Sequence, residues 1–441
     1  MIDKYSMPQT LGSVAPRRFH VMAKPSGSTC NLDCKYCFYL SKETLPGGPG
    51  TGQMDDETLE TFIRTYIEGV TGPEVVFSWQ GGEPTLRGLD FFQHVVTLQK
   101  KYAKPNQRIE NDLQTNGVLI NDDWAAFLKE HRFLVGLSID GPRELHDRFR
   151  VNKGGAPTFD KVMAAAQRLR KFRVPYNTLT CVHRHNASRP LDVYRFLRRE
   201  LDSTYIQFIP IVQKKGFQTV APQTWDASSL PMLDSPEARP NHPDSVVTDW
   251  SVDPMEYGYF LSKVFDEWRR KDFGRVLVSQ IETLVAQHVG LPSQVCIYGE
   301  FCGKGVVVEH DGSVYACDHY VYPEYRLGTI GQKPLGEIVF SPTQVKFGYA
   351  KSESLPQYCR ACPYLADCWG ECPKNRLIRT PDGEPGLNYL CAGLKYFFKH
   401  ALPEAERIAT DIRKRQQLDN SGLNLPRMPS AQAAPVQFRI N

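Results

Sequence analysis

The chain has 441 residues, 41% of them hydrophobic, and a formal net charge of +4, which suits two or perhaps three ordinary cores. Basic residues form only short clusters such as Arg17-Arg18, Arg198-Arg199 and Lys214-Lys215, so a nucleic-acid partner is not expected. No apolar run is long enough to span a membrane and the N-terminus lacks a signal-peptide core, so a cytoplasmic protein without a membrane partner is expected.

Residues 1–18 show no periodicity and read as an N-terminal arm. His20-Val21-Met22-Ala23 reads as a first strand. The stretch Cys30-Asn31-Leu32-Asp33-Cys34-Lys35-Tyr36-Cys37 follows, with the spacing C-x3-C-x2-C and an aromatic pair, Phe38-Tyr39, behind it. Three thiolates cannot close a four-ligand site. On a four-iron cluster they would leave one iron open to a small molecule. A zinc knuckle or three scattered core cysteines is the plainer alternative.

Strands and helices then alternate. Asp55 or Asp56 can cap a helix whose apolar face is Leu59, Phe62, Ile63, Tyr66, Ile67 and Val70. Strands are expected at Val75–Trp79, Ile109–Thr115, Phe133–Ile139, Asn177–Val182 and Tyr205–Ile211, with helices between them. Six βα-type repeats imply a parallel sheet, whose ligands sit beyond the C-terminal strand ends. Three polar, glycine-bearing stretches fall on that edge: Gln80-Gly81-Gly82-Glu83-Pro84, Gln114-Thr115-Asn116-Gly117 and Ser138-Ile139-Asp140-Gly141-Pro142. Any one alone could be a plain turn. Cys181, inside a strand-like run, reads as a buried structural cysteine.

Residues 213–255 carry six prolines among many polar residues and read as a long loop or linker. Tyr257–Trp268 and Val276–Val289 are expected helices. Gly312-Ser313-Val314-Tyr315 suggests a hairpin turn leading into Cys317. The last third holds eight cysteines: Cys296, Cys302, Cys317, Cys359, Cys362, Cys368, Cys372 and Cys391. Zinc would suit four-cysteine sites, and two four-iron clusters would also consume eight thiolates. Residues 403–441 lose periodicity after a helix and end in an Ala/Pro/Gln-rich tail, expected to be disordered. The resulting division is 1–18 arm, 19–212 first domain, 213–255 linker, 256–402 second domain and 403–441 C-terminal helix and tail.

The C-x3-C-x2-C motif resembles the signature of radical S-adenosylmethionine (SAM) enzymes, and Gly81-Gly82-Glu83-Pro84 resembles their GGEP motif. The C-terminal cysteines are similar to those of a SPASM domain. Asp311-Gly312-Ser313-Val314-Tyr315-Ala316-Cys317-Asp318-His319-Tyr320-Val321, with Cys37-Phe38-Tyr39 and Gln80 to Thr85, looks like the anaerobic sulfatase-maturating enzymes. That resemblance implies an α/β fold: a partial (β/α)6 barrel followed by a smaller cysteine-rich SPASM domain with two auxiliary clusters. It implies three [4Fe-4S] clusters and SAM as cofactors. Cys30, Cys34 and Cys37 would hold the first cluster. Cys296, Cys302, Cys317 and Cys372 would hold the second, and Cys359, Cys362, Cys368 and Cys391 the third. Tyr36, Gly81, Gly82, Glu83, Ser138 and Arg150 would meet SAM, and Asp318 would be the catalytic base.

The reaction so implied oxidises a Cys or Ser of a sulfatase to Cα-formylglycine after a 5′-deoxyadenosyl radical abstracts hydrogen from Cβ. The partners would be an unfolded sulfatase polypeptide with a Cys/Ser-x-Pro/Ala-x-Arg motif and an electron donor such as flavodoxin or ferredoxin. A SPASM enzyme maturing another ribosomal peptide, by thioether formation for example, is the second reading. Only about 18 residues precede the first strand, too few for the added peptide-recognition domain many such enzymes carry. A non-catalytic iron–sulfur electron carrier is the third reading, and it leaves the SAM-edge motifs unexplained.

Overall fold

The computed structural model describes residues 19–420 except residue 294, so the expected arm at 1–18 and the tail beyond 420 lie outside the described residues. Six strands form in chain order: β1 (His20–Lys24), β2 (Glu74–Trp79), β3 (Arg108–Thr115), β4 (Leu134–Ser138), β5 (Tyr176–Val182) and β6 (Tyr205–Pro210). Each pairs in parallel with the next. The main crossover helices are α1 (Asp56–Gly69), α2 (Gly88–Tyr102), α3 (Asp122–Glu130), α5 (Phe159–Lys171) and α6 (Pro190–Arg199); α4 (Arg143–His146) is a single turn.

Local chemistry sets where these helices begin. The Asp55 carboxylate accepts from Thr58 N at 2.8 Å, and the Asn121 side chain from Trp124 N at 2.9 Å. Each satisfies an amide that the helix leaves without a partner, a contribution of about 1 kcal/mol. The apolar stripe of α1 packs on β2: Phe62 stands edge-on to Phe77 at 5.6 Å, and Trp79 meets Phe92 of α2 at 5.7 Å. Phe62, Phe77 and Phe92 are fully buried, each contributing about 1.5–3 kcal/mol. The Trp79 indole N–H donates to Asn111 Oδ1 at 2.8 Å, so the ring carries no unpaired donor into the core.

The sheet grows at both edges. At the β6 edge, β7 (Leu277–Val278) pairs in parallel and leads directly into α8 (Ser279–Val289). The helix expected over Val276–Val289 therefore starts at Ser279. Two β-branched or branched residues at its head continue the sheet instead, where their side chains pack on a pleated surface. The other preceding helix, α7, runs Pro254–Lys271.

At the opposite edge, β8 (Gly305–Glu309) pairs in parallel with β1, register His20↔Gly305 through Lys24↔Glu309. A turn at Gly312 (φ +79) returns the chain as β9 (Ser313–Tyr315), which pairs with β10 (Arg326–Thr329). The strand order is β10-β9-β8-β1-β2-β3-β4-β5-β6-β7. The cysteine-rich part is thus built onto the first strand of the parallel sheet.

Residues 213–253 hold no strand or α-helix, and α7 begins at Pro254 inside the expected linker, but the segment is packed. Phe217, Ala221, Val247 and Val252 are buried. The segment crosses from β6 to the cysteine-rich part, where its carbonyls at Phe217 and Pro222 accept from the Tyr322 and Tyr325 hydroxyls. The last helix, Cys391–Asn420, runs straight through Pro403, where loss of periodicity was expected. Phe397, Phe398, Ala401, Ala405 and Ile408 bury its face on both sides of the proline. That packing, much of it against α7, offsets the ~3 kcal/mol an interior proline costs.

Candidate functional site

The first cysteine loop leaves β1 and lies over the C-terminal strand ends. Cys30, Cys34 and Cys37 line one cavity of about 190 Å³, together with Tyr36, Gly81, Gly82, Ser138 and Arg150. The cavity depends on a close backbone approach. Gly82 N donates to Gly27 O at 2.9 Å, and a Cβ at Gly82 would lie 2.1 Å from Thr29 O. Gly81 adopts φ +130. Only glycine accommodates both demands without displacing the loop.

Cys296, Cys302, Cys317 and Cys372 line a second cavity of about 220 Å³. Phe38, Gln80, Gln114, Asp318, His319 and Lys374 stand in the walls of both cavities. Cys359, Cys362, Cys368 and Cys391 line a third, smaller void beneath Tyr358 and Phe398. The structure therefore gathers the eleven clustered cysteines into one triplet and two quartets. Burial pushes the Cys30, Cys296 and Cys372 thiols up to about 12. Sulfurs held out of water in such sets gain a counter-charge when iron binds them, which fits iron–sulfur groups.

Around the first cavity the polar groups are tightly paired. Asp140, at the end of β4, accepts from Arg150 Nε at 2.9 Å and Nη2 at 3.1 Å, and the Tyr36 hydroxyl donates to the same carboxylate. Burial works against the Asp140 charge, but Arg150 and His183 together hold its carboxyl below the usual range. Asp318 lies at the start of a short turn, Asp318–Tyr320, just past β9. Its Oδ1 sits 2.5 Å from Lys24 Nζ. Burial again opposes the charge, but Lys24 above all holds its carboxyl below the usual range. The His319 ring lies 5.0 Å from Phe38, and burial lowers it to about 4, so it is neutral at pH 7.

A model of the radical SAM superfamily matches residues 25–197, and one of the SPASM iron-sulfur cluster-binding domain matches residues 296–363. The serine-type anaerobic sulfatase-maturating enzyme of Bacteroides thetaiotaomicron is 43% identical over 397 residues, 90% of this chain and 92% of that protein. The cysteine-type anaerobic sulfatase-maturating enzyme of Clostridium perfringens is 34% identical over 400 residues, 89% of this chain and 99% of that protein. The chain belongs to the anaerobic sulfatase-maturating enzymes. Native anSMEcpe with bound AdoMet and Cp18Cys peptide superposes with a TM-score of 0.76 at 33% identity, covering 90% of this chain and 100% of that one. Streptococcus suis SuiB bound to precursor peptide SuiA shares the fold, at TM-score 0.54 and 14% identity over 85% of this chain and 77% of that one.

Glu83 is buried beneath the glycine loop. Its carboxylate accepts from Thr85 N and Oγ1, Thr115 Oγ1 and Asn116 N, at 2.6–3.0 Å. The bonds from Thr115 and Asn116 tie the loop after β2 to the end of β3. Arg150 is buried in the wall of the first cavity, and Cys181 lines the same cavity, where it accepts from Arg150 Nη2 at 3.6 Å. Asp318 lies past the end of β9 at Tyr315, and its partner is Lys24.

Lys24 and Lys374 were not found from the sequence; Lys24 only closes an apolar strand. His319 lay inside the quoted Asp311–Val321 stretch, with no role given to it. Asp140 lay inside a noted turn, but its pairing with Arg150 spans a loop that periodicity cannot read.

Among the described residues no helix is long and apolar enough to cross a membrane.

Proposed function

We propose that this enzyme oxidises one Cys or Ser of an unfolded sulfatase polypeptide, within a Cys/Ser-x-Pro/Ala-x-Arg motif, to Cα-formylglycine. In this reading Cys30, Cys34 and Cys37 hold a four-iron cluster whose open iron takes SAM. Cys296, Cys302, Cys317 and Cys372 hold a first auxiliary cluster, and Cys359, Cys362, Cys368 and Cys391 a second. Bound together, these groups supply a 5′-deoxyadenosyl radical to take hydrogen from the substrate Cβ and an acceptor for the second electron.

The observation that carries the reading is the position of Asp318 in the wall shared by the SAM-side cavity and the Cys317 cavity. A substrate Cβ presented there meets a carboxylate able to take the thiol or hydroxyl proton as the second electron leaves. Such a base typically contributes about 10²–10⁴-fold. Gly81 and Gly82 let backbone approach SAM. Ser138 and Arg150 face the same space, Arg150 being oriented by Asp140 and Tyr36. Phe38, His319 and Gln213 line the same space. Two electrons leave the substrate in total, one with the hydrogen atom and one alone. A small reducing protein such as flavodoxin or ferredoxin would recharge the first cluster. Twelve unpaired cysteines suit a reducing cytoplasm.

The test is anaerobic incubation with SAM, dithionite and a Cys-x-Pro-x-Arg peptide or its Ser counterpart, followed by mass spectrometry. The Ser peptide should lose two hydrogens, and the Cys peptide should also exchange sulfur for oxygen. SAM cleavage without change in either peptide, but with modification of an unrelated ribosomal peptide, would favour the thioether-type reading.

A further inference from the structure

Two buried cations stand beside the Cys296 quartet, and among the described residues no carboxylate pairs with either. Lys351 is 1% exposed, and its ammonium donates to the carbonyls of Cys296 at 2.6 Å, Ile297 at 2.8 Å and Gly299. All three ammonium protons are therefore spent on the loop that carries Cys296. Arg376 is 4% exposed and donates to Lys351 O at 2.8 Å, Ser354 Oγ at 2.9 Å and Trp369 O at 3.3 Å. Its Nε is buried without a hydrogen-bond partner among the described residues.

Carbonyls satisfy donors but do not cancel charge, and an unpaired buried ion is strongly disfavoured. Their placement ties them to both quartets. The Lys351 ammonium is bonded to the carbonyl of Cys296 itself, and Arg376 bridges the carbonyl of Lys351 and that of Trp369, the residue after Cys368. Lys374 and the buried Glu371 carboxylate, which is held by Asn375 and Asn388, line the same cavity with opposite formal charges, and Asp318 in that wall is paired by Lys24. The surroundings of the Cys296 quartet are thus net positive. A cluster on four thiolates is net negative and gains a further negative charge when it is reduced. Fixed positive charge nearby favours that reduced form.

We infer that Lys351 and Arg376 are positioning residues for electron flow: buried charges that raise the reduction potential of the first auxiliary cluster. This rests on the assignment of the Cys296 quartet as a cluster site. They make it the preferred acceptor of the substrate's second electron, and Arg376, between the quartets, biases both clusters together.

The test is a potentiometric titration, followed by electron paramagnetic resonance, of the anaerobically reconstituted full chain, with iron counted in each sample. Lys351→Gln keeps donors for the loop carbonyls and removes the charge. It should retain full iron and lower one of the three midpoint potentials by at least 59 mV. That is a tenfold shift in a one-electron equilibrium. Arg376→Gln should lower two of the three, and Arg376→Lys should restore both. Full iron with unchanged midpoints in Lys351→Gln overturns the inference. Loss of one cluster's iron in that variant also overturns it, leaving Lys351 as a brace for the Cys296 loop. A wild-type chain that never binds more than one cluster's iron defeats the cluster assignment instead.

Discussion

The Nζ of Lys24, on the last residue of β1, lies 2.5 Å from Oδ1 of Asp318, 294 residues later in the chain. The contact ties the first strand of the sheet to the turn behind Cys317. Lys24 also stands 4.5 Å over the Tyr39 ring, and the Tyr39 hydroxyl donates to Glu309. The carboxylate proposed as the base is thereby fixed from the barrel side, while Cys317 fixes it from the other.

Asp318→Asn keeps size and burial and removes the proton acceptor. Iron content, SAM binding and SAM cleavage should persist, while formylglycine formation falls by about 10²–10⁴-fold. Deoxyadenosine released per product, counted by chromatography and mass spectrometry, should rise in step. Near-normal formylglycine with intact clusters would mean that another group takes the proton.

Lys24→Met strips Asp318 of its closest cation. Removing one member of a buried pair destabilises by about 3–5 kcal/mol, so the variant should melt earlier and uncouple deoxyadenosine from product as Asp318→Asn does. Lys24→Arg should recover part of the coupling. A Lys24→Met enzyme with wild-type coupling would show that the pair is structural only.

The metal content is open to direct count. Three four-iron clusters require about 12 irons per chain and similar sulfide. Replacing Cys30, Cys34 and Cys37 by Ala should remove about 4 irons and abolish deoxyadenosine formation, leaving the other two clusters' spectra. Persistent SAM cleavage in the triple variant would overturn the assignment of the open iron.

Gly82→Ala tests the glycine loop. Its new Cβ would lie 2.1 Å from Thr29 O, a backbone atom that cannot swing aside. The cysteine loop must shift, and SAM affinity should weaken at least tenfold, about 1.4 kcal/mol, in anaerobic equilibrium dialysis. Unchanged affinity would place SAM away from this loop.

Much of this architecture was legible from the residues. Val75-Val76-Phe77 and Phe62-Ile63-Tyr66 announce a strand and a helix face by period alone, and the six parallel strands fall where those periods place them. The cysteines were legible as groups by spacing, but placing Cys372 with Cys296, Cys302 and Cys317 rather than with Cys368 followed from the family resemblance. Other features leave no local trace. β7 is two residues long, too short for any period. The pairing of β8 with β1 joins segments some 285 residues apart, and Lys24–Asp318 depends on it. Glu83 sits within a recognisable motif, but which way its carboxylate points is decided by Thr115 and Asn116 on the next strand. The loss of periodicity after residue 403 hides how far the last helix runs, because packing on α7 rather than period holds it.

The parallel pairing of β1 with β8 also sets an order for synthesis. β1 emerges early, but one of its edges has no partner until residues 305–309 have left the ribosome. At about 5–20 residues per second that wait lasts tens of seconds. An apolar strand with one open edge is prone to join another chain. A fragment ending before residue 305 would keep that edge permanently, so it should aggregate even with its first cluster loaded. The cysteine-rich end of the chain serves the nascent barrel as a late-arriving edge guard.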